Sequence, residues 1–456
     1  MQVSQTDTVS IPELREVRGR VITPDDADYD QQRTVTAGHI DRRPAAIVRV
    51  ADTGDVAAVI NFVRDRGIEL AVRCGGHSGA GHSVTDGGIV LDLREMRAID
   101  IDVAGRTAWA EGGSTAIEVT NAVWEHGLAI GFGDTGSVGI GGLTTGGGVG
   151  YLVRKHGLTI DSLLAAEIVT ADGQLLHVDA ETHPDLFWAI RGGGGNFGVV
   201  TRFQYRLQPL TAFVGGMLLL PATPETIAGF IAANEAAPEE LSAIANVMPA
   251  PPMPFLPEEV HGKLTILAMM AYAGEPDAAE QALAPFRELA EPMADMVKPM
   301  PYPEMYPPED DSYRPKAAAR TMFLDHVDLD TAKTIVEQLN ASDASMRVAQ
   351  LRVLGGAMAR VPADATAFAH RSSRIMVNLA AFWEGDDRAQ RESWVDAFMA
   401  AIDQGDSGAY VNFVGEEGAQ RVHDAYPAAT YDRLAGIKGR YDPTNLFRLN
   451  QNIPPA

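Results

Sequence analysis

The amino-acid sequence predicts an α+β protein of two domains, and three observations support this. Residues 20–205 alternate short strand-like and helix-like segments around loops that are dense in glycine. After about residue 208, glycine becomes rarer, and the pattern fits one sheet with helices on one face. The tail after about residue 408 turns polar and aromatic, so we expect it to return to the first domain. The predicted division is therefore 1–207 with 408–456, and 208–407 between them.

In the first domain, residues 55–66 carry apolar side chains at helical spacing, with Thr53 as a possible cap. Ser114 is expected to cap a second helix that reaches His126. Alternation and turn residues predict strands and two hairpins. The predicted strands and hairpin arms are 69–73, 89–93, 99–110, 166–170, 174–178 and 199–207.

In the second domain, segments with the periodicity of strands alternate with segments that have the periodicity of helices. Strand-like runs are predicted at 217–220, 264–271, 348–354 and 375–382. Helix-like runs are predicted at 225–236, 278–289, 331–339 and 387–402. The span 292–315 contains seven prolines, so both a rigid surface loop and a lid over a pocket stay open.

The charge and the residue composition of the chain argue against several classes of function. The net charge of −24 argues against binding to nucleic acid or to an anionic membrane surface. The single cysteine, Cys74, excludes a disulfide framework within the chain and fits a reducing compartment. No apolar run reaches 18 residues, and residues 1–13 are polar. We therefore expect a soluble cytoplasmic protein, while its oligomeric state cannot be deduced from the sequence.

Three glycine-dense loops are the most informative feature of the first domain. Glycine lets the backbone approach a ligand closely, so a ligand with a long polar spine, such as a dinucleotide, is expected. The loops do not fit a P-loop, because Gly150 and Gly195 are not followed by Lys and Ser or Thr. Residues 139–150 are also too rich in glycine for a Rossmann fingerprint. The three loops are Arg73-Cys74-Gly75-Gly76-His77, 133–150 and 191–198.

These loops, together with Asn450-Gln451-Asn452-Ile453-Pro454, resemble the berberine-bridge-enzyme-like FAD-linked oxidases of the vanillyl-alcohol-oxidase class. The resemblance covers nearly the whole chain in the right order. It implies the two-domain FAD-binding fold of that class, with an antiparallel-sheet substrate domain covered by helices. It also implies oxidation of a small organic molecule by hydride transfer to flavin N5. The substrate could be an alcohol, a sugar, an amine or a secondary metabolite.

The resemblance assigns His77 a covalent bond to the 8α-methyl group of the flavin; the alternative is a histidine bonded only to loop backbone. Many family members add a thioether from a cysteine at the position that Thr135 occupies here, so we expect a single covalent link. Cys74 is expected to be a small packed residue. His82 is given a secondary, non-covalent role.

Other residues are expected to contact FAD because of the same resemblance. Glycine-loop N–H groups form concavities that bind anions, which suits the pyrophosphate. The full expected set is Arg73, Cys74, Gly75, Gly76, His77, Ser78, Gly81, His82, Gly133, Asp134, Thr135, Gly136, Ser137, Gly139, Gly142, Gly146, Gly148, Gly198, Val200, Asn450 and Asn452.

The resemblance also bears on the electron acceptor. Val138 stands where a small β-branched residue accompanies oxygen reactivity in the family, which favours an oxidase that uses O2 and releases H2O2. Two alternatives stay open: a dehydrogenase that uses another acceptor, and a flavin-bearing protein that sequesters a drug or metabolite without turning it over.

The substrate-side residues are less well defined. Gln350 and Arg352 lie on one face of a predicted strand, and Asn378 lies on another. Arg352 either orients a carboxylate or other oxygen-rich substrate, or pairs with a nearby acid. Tyr410 and Asn412 are the catalytic candidates, with Tyr410 a base if its pKa is lowered. The sequence contains no clustered metal-ligand spacing.

Overall fold

The structure is a computed structural model that describes residues 14, 17–254, 256–308, 310 and 312–456. Within these residues, three main β-sheets form the fold. Two-residue strands Leu128–Ala129 and Gln208–Pro209 pair separately. Among the described helices, none is long and apolar enough to cross a membrane. In the same residues, no group of His, Cys, Asp and Glu side chains could hold a metal ion.

The first sheet contains four short strands in the order β1-β2-β4-β3. Its strands are β1 (Arg20–Ile22), β2 (Ala46–Arg49), β3 (Leu70–Arg73) and β4 (Ile89–Asp92). Strands β2, β4 and β3 run parallel, whereas β1 pairs antiparallel with β2. Helix α1 (Thr53–Arg66) joins β2 to β3, and its cap is Asp52, whose side chain accepts the Asp55 N–H at 3.0 Å. The prediction of Thr53 as the cap is therefore wrong by one residue, because Thr53 is already the first residue of the helix.

The second sheet is antiparallel, with strand order β5-β6-β9-β7-β8. Its strands are β5 (Ile99–Asp102), β6 (Thr107–Glu111), β7 (Leu163–Val169), β8 (Leu175–Asp179) and β9 (Val199–Arg206). Both predicted hairpins are confirmed, as β5–β6 and β7–β8. Three helices belong to this half: α2 (Ala116–Trp124), α3 (Ile140–Gly146) and α4 (Pro184–Ala189).

Helix α2 begins one residue later than the sequence indicated. Its cap is Thr115, which accepts the Glu118 N–H while the Glu118 carboxylate accepts the Thr115 N–H. This reciprocal capping box satisfies two N–H groups at once. The expected cap, Ser114, lies outside it.

The third sheet is the largest and is antiparallel throughout. Its long strands are β10 (Val214–Pro221), β11 (Leu241–Pro249), β12 (Leu264–Tyr272), β13 (Ala317–Leu324), β14 (Arg347–Val353) and β15 (Ile375–Phe382). Their order is β10-β12-β11-β14-β15-β13, and two-residue strands Ala294–Asp295 and Lys298–Pro299 pair with β10. Strands β11 and β13 were not predicted from the sequence.

Four helices cover one face of this sheet, as the sequence predicted. They are α5 (Pro224–Ala236), α6 (Pro276–Arg287), α7 (Leu329–Ala341) and α8 (Arg388–Ile402). Alternate residues of β14, such as Ala349 and Leu351, join the apolar core beneath these helices. Gln350 and Arg352 therefore project from the opposite face of the sheet, which meets the glycine-rich half.

The tail packs against the second sheet. Helices α9 (Ala419–Ala425) and α10 (Ala428–Tyr441) follow the large sheet, and Leu434 and Ile437 lie in one apolar cluster with Phe203 of β9. In the described part of the chain, the remaining α-helices are single turns at Tyr29–Gln32, Val153–His156 and Ala357–Arg360.

The proline-rich span contains a buried anchor. Tyr302 is fully buried and Tyr306 is 6% exposed, within an apolar cluster that includes Tyr151 and Phe213. Tyr313, in contrast, is 55% exposed. The part of the span that contains Tyr302 and Tyr306 therefore packs against the glycine-rich half of the protein. It is neither a surface loop nor a lid over a pocket.

Candidate active site and cofactor cavity

A cavity of about 420 Å³ lies between the glycine-rich loops and the C-terminal tail. Pockets of this size commonly hold small ligands. Its walls come from residues within the segments 74–83, 133–149, 194–200, 410–414 and 447–451, together with the apolar residues Leu70, Val72 and Leu93. The three loops singled out in the sequence therefore meet around one space.

Most of the expected site residues line this cavity. They are Cys74, Gly75, Gly76, His77, Ser78, His82, Gly133, Asp134, Thr135, Gly139, Gly142, Gly198, Val200, Tyr410, Asn412 and Asn450. Ten expected residues are not part of its lining: Arg73, Gly81, Gly136, Ser137, Gly146, Gly148, Gln350, Arg352, Asn378 and Asn452.

His77 lies at the cavity wall and is held by the next glycine-rich loop. Its Nε2 atom is 2.9 Å from Oγ of Ser137. Ser137 is therefore a residue that positions His77 rather than part of the wall. His82 lines the same cavity, and burial lowers its pKa to about 4, so its imidazole is neutral near pH 7.

Arg73 was expected to contact the cofactor, but it faces the other side of its strand. Leu70 and Val72 line the cavity, so strand alternation turns Arg73 away from it. Its Nη2 atom bonds to Oδ2 of Asp92 at 2.9 Å, and both side chains are almost fully buried. Its part is to hold the strand that leads into the His77 loop.

The Cys74 side chain is tightly packed, and its thiol is unreactive. Its Sγ atom would lie 2.4 Å from a Cβ added at Gly141, so sulfur and backbone are in close contact. Burial raises the pKa of Cys74 to about 12, which keeps the group a thiol at neutral pH. Thr135 also lines the cavity.

The glycines of the second loop serve different purposes. A Cβ at Gly142 would meet no atom within 4 Å, and this residue faces the cavity. A Cβ at Gly146 would instead lie 2.0 Å from Oδ1 of Asn412, so the space at Gly146 is already filled by protein. Gly148, with a φ of +80°, is likewise packed against Thr159. The expected cofactor contact is thus supported at Gly142 and not at the other two.

Tyr410 and Asn412 form a polar pair at the cavity. The Tyr410 hydroxyl oxygen accepts the Gly148 N–H at 3.0 Å and the Asn412 Nδ2–H at 3.0 Å. The Asn412 amide also donates to the carbonyl of Leu143 at 3.1 Å. Burial raises the pKa of Tyr410, against the lowering influence of Asn412, Gly148 and Arg352. The lowered pKa required of a base at neutral pH is therefore not found.

Arg352 pairs with an acid, which was one of the two alternatives left open. Its Nη2 atom donates to Oδ2 of Asp134, and its Nη1 atom donates to the Val149 carbonyl at 3.2 Å. Nε and Nη2 also donate to Oε1 of Gln350 at 3.0 and 2.6 Å. Its guanidinium lies 5.3 Å from the ring centre of Phe413, a residue of the cavity wall. The charge of Arg352 is therefore already offset by a neighbour.

Gln350 and Asn378 are direct neighbours across β14 and β15. Gln350 donates to Oδ1 of Asn246 at 2.9 Å. Oδ1 of Asn378 is buried without a hydrogen-bond partner among the described residues. These amides form a polar row on the sheet face that meets the glycine-rich half.

The last segment of the chain closes the cavity opposite the loops. Asn450 donates to the Phe447 carbonyl at 2.9 Å, while its Oδ1 atom has no partner within the described structure. Asn196 fixes this segment by accepting the Ile453 N–H at 3.0 Å. Lys438 donates to the carbonyls of Asn196 and Phe447 at 2.6 and 2.8 Å.

Sequence reasoning missed several parts of this wall. Some of the missed residues, such as Gly141, Gly194 and Gln451, lie within the quoted loops and tail motif but were given no individual role. Strand alternation would have found Leu70 and Val72, whereas no motif marks the remaining apolar residues outside the loops, which tertiary packing brings to the wall. The missed lining residues are Leu70, Val72, Ser83, Leu93, Gly141, Leu143, Thr145, Val149, Gly194, Gly195, Asn196, Val199, Val411, Phe413, Val414, Phe447, Leu449 and Gln451.

Comparison with known proteins assigns this arrangement to a class. A family model described as an FAD binding domain matches residues 44–179. A second family model, described as berberine and berberine like, matches residues 409–454. The two matches contain the His77 loop and the tail segments of the cavity, so the fold and the site define an FAD-linked oxidoreductase.

Relatives match the chain over nearly its full length. The chain is 31% identical to the (R)-6-hydroxynicotine oxidase of Paenarthrobacter nicotinovorans, over 96% of this chain and 97% of the relative. It is 30% identical to an FAD-linked oxidoreductase of Bacillus subtilis, over 97% and 98%. The crystal structure of 6-hydroxy-D-nicotine oxidase from Arthrobacter nicotinovorans matches at 28% identity with a TM-score of 0.85, covering 100% of both chains. The chain belongs to the berberine-bridge-enzyme-like family of FAD-linked oxidoreductases.

Proposed function

We propose that the protein oxidises a small organic molecule with a single covalently attached FAD and passes the electrons to O2, giving H2O2. The observation that carries this proposal is His77, which lines the cavity among three glycine-rich loops and is held there by Ser137. The oxidoreductase class follows from the family; the covalent link, the acceptor and the substrate belong to the proposal.

The residues around the cavity fit FAD. Gly142 leaves open space on the cavity side, where any side chain would intrude. The buried Oδ1 atom of Asn450 lacks a partner in the described protein and can accept a hydrogen bond from a bound group. His77 is the residue proposed to carry the bond to the flavin. Thr135 cannot form a thioether, which supports one link rather than two.

When bound, FAD would supply the acceptor for a hydride from the substrate. Val138 lines the cavity and supports O2 as the final acceptor, by analogy with the family. Tyr410 and Asn412 are the proposed catalytic pair. Because burial raises the pKa of Tyr410, its phenol stays protonated near neutral pH and serves as a hydrogen-bonding group rather than a base.

The substrate is proposed to approach from the large sheet, next to Gln350, Arg352 and Asn378. Since Asp134 offsets the charge of Arg352, a carboxylate on the substrate is not required. An alcohol, a sugar, an amine and a secondary metabolite all remain in the proposed substrate class. A cytoplasmic location and the division into 1–207 with 408–456 and 208–407 complete the proposal.

Acid denaturation tests the covalent link directly. The purified protein is precipitated in acid and centrifuged, and the yellow colour is followed. We expect the colour to stay in the pellet of the native protein and of His82→Ala, which removes a second imidazole from the same cavity. In His77→Ala, the colour should move to the supernatant. Colour released from the native protein would overturn the covalent proposal.

Anaerobic reduction separates the three functional classes. Candidate amines, alcohols and sugars are added, and the flavin absorbance is followed before and after air is admitted. An oxidase bleaches with its substrate and recovers rapidly in air with release of H2O2. Slow recovery indicates a dehydrogenase, and a spectral shift without bleaching indicates a sequestering protein.

A further inference from the structure

The segment 35–42 lies against the loop that carries His77, on the side away from the cavity. A Cβ at Gly81 of this loop would lie 3.0 Å from Cδ1 of Ile40, so the segment and the loop are in close contact. None of residues 35–42 lines the cavity. The segment therefore supports the loop from outside, and the proposed function has not used it.

Backbone hydrogen bonds fix this segment at two points. The Thr36 N–H donates to the Gly76 carbonyl of the supported loop at 3.1 Å. The Gly38 N–H donates at 2.9 Å to the Pro315 carbonyl, which lies just before β13 of the large sheet. A Cβ at Gly38 would lie 2.2 Å from the carbonyl oxygen of Arg314, so the backbones are in contact there. The segment is thus anchored to both halves of the protein.

Arg42 stands at the end of this segment, and its guanidinium holds the last part of the loop. Its Nη1 atom donates to the carbonyls of Gly81 and Val84, at 2.8 and 3.1 Å. These two carbonyls lie on either side of His82 and Ser83, which both line the cavity. Arg42 therefore fixes the backbone that presents these two side chains to the cavity.

The other end of the same guanidinium reaches the C-terminal tail. The Nη2 atom of Arg42 donates to Oε1 of Glu416 at 2.9 Å. Glu416 follows residues 410–414, which form another part of the cavity wall. The charge of Arg42 lowers the pKa of His82 and that of Glu416 raises it, so the ion pair lies close to this wall residue. One side chain thus connects two segments of the wall.

Apolar packing brings the same parts of the chain together. Val35 and Val84 belong to one apolar cluster, and Ile40 and Leu449 pack against it. Leu449 belongs to the tail and lines the cavity. The supporting segment, the loop and the tail therefore share a small core next to the Arg42 contacts.

We propose that Arg42 is a positioning residue that holds the His77 loop and the C-terminal tail together, and thereby slows the escape of FAD from the cavity before the covalent bond forms. This inference rests on the proposed FAD site and adds a residue outside its wall. Arg42 acts through two wall segments, without contacting the cofactor.

The test measures how fast FAD leaves the cavity. His77→Ala is used as the parent, because its FAD is not covalently bound and its release on dilution can be followed by flavin fluorescence. Arg42→Met is added to this parent. We expect FAD to leave about 10-fold faster, because two hydrogen bonds from a charged donor are lost. Glu416→Gln removes only the ion pair and should speed release by about 2- to 3-fold.

The matched control is Arg43→Met in the same parent. Arg43 is the next residue, but its guanidinium pairs with Asp30 at 3.2 Å and lies 5.4 Å from the ring centre of Tyr29. Neither partner lines the cavity. Arg43→Met removes the same charge from the same surface, and we expect it to release FAD at the rate of the parent.

Two further measurements separate this role from a general loss of stability. The double variant Arg42→Met with Glu416→Gln should release FAD no faster than Arg42→Met alone, because the first change already breaks the ion pair. In 1 M NaCl, where the screening length is about 3 Å, Glu416→Gln should release FAD at the rate of the parent. Arg42→Met should stay faster than the parent, since its bonds to the carbonyls are lost at any salt concentration.

The inference is overturned if Arg42→Met releases FAD at the rate of the parent, or if Arg43→Met speeds release equally. It is also overturned if the effects of Arg42→Met and Glu416→Gln multiply in the double variant. If Arg42→Met does not fold, Glu416→Gln decides alone, because Glu416 is 52% exposed at its side chain. Release at the parent rate at low salt would then contradict the inference.

The failure of the inference and the failure of the proposed function give different results. If the parent binds no FAD although the native protein is yellow, native and Arg42→Met apoproteins are mixed with FAD, and the growth of acid-stable colour is timed. Equal rates would overturn the inference and leave the proposed function intact. A native protein without flavin would overturn the proposed function itself.

Discussion

Arg352 and Asp134 form an ion pair that joins the large sheet to a loop of the cofactor cavity. Arg352 is 5% exposed at its side chain, whereas Asp134 is 25% exposed toward the cavity. The same guanidinium holds the Val149 carbonyl, so one side chain fixes two segments of the cavity wall. The position of the large sheet is thereby linked to the shape of the cofactor site.

Arg352→Met should lower the free energy of unfolding by about 2–3 kcal/mol, because Asp134 would be left half-buried without its partner. Combining it with Asp134→Asn should cost less than the sum of the two single changes, since the pair acts as a unit. Urea denaturation of the three variants measures this coupling. Strict additivity would show that the pair contributes nothing to stability.

Tyr410→Phe should reduce kcat by about 10-fold or more, because the hydroxyl lines the cavity next to Asn412. Because the native phenol is already protonated, the pH dependence of kcat between 6 and 9 should keep its native shape. The measurement is the initial rate of H2O2 release with a substrate from the reduction screen. If one limb of the native pH profile of kcat disappeared in Tyr410→Phe, Tyr410 would instead act as the base.

Lys438→Met should destabilise the protein by about 3–5 kcal/mol, because it leaves the carboxylate of Asp442 fully buried and unpaired. The double variant Lys438→Met with Asp442→Asn should recover part of that loss, since the neutral amide carries no buried charge and keeps one acceptor for either the Leu446 or the Phe447 N–H group. Thermal unfolding of the holoprotein compares the two. If the double variant recovers no stability, the loss in Lys438→Met does not come from the unpaired charge of Asp442.

Acidification from pH 6.5 toward 4 should destabilise the fold through His156. Burial lowers the pKa of His156 to about 4, whereas an unfolded histidine titrates near 6.5. The unfolded chain therefore binds the proton first as pH falls, and stability is lost across this window. At pH 5, His156→Gln should reduce the acid-induced loss by about 1–2 kcal/mol. An acid-induced loss of the same size in His156→Gln and in the native protein would contradict this assignment.

The glycine loops could be predicted from the sequence because their chemistry is local. Glycine at 75, 76 and 142 marks close approach of the backbone, and His77 stands out among them. Alternation along β14 correctly placed Gln350 and Arg352 on one face, because the period of a strand is fixed. The same rule, applied to β3, would have turned Arg73 away from the cavity.

Other features depend on contacts that have no sequence signature. Strands β11 and β13 contain runs such as Ala317-Ala318-Ala319, whose strand conformation comes from pairing with neighbours rather than from propensity. Tyr302 and Tyr306 lie in a proline-rich span that indicates a loop. The carbonyl of Gly133, which accepts from Tyr306, is more than 160 residues distant, so only the fold brings them together.

The C-terminal wall of the cavity has a consequence for the order of biosynthesis. Residues 447–451 enclose the cavity, and Lys438 and Asn196 fasten them to a loop made some 250 residues earlier. While a ribosome still holds this segment, the glycine-rich loops face an open groove. The cavity can therefore be complete only after residues 447–451 have been synthesised and have docked against the loop that contains Asn196.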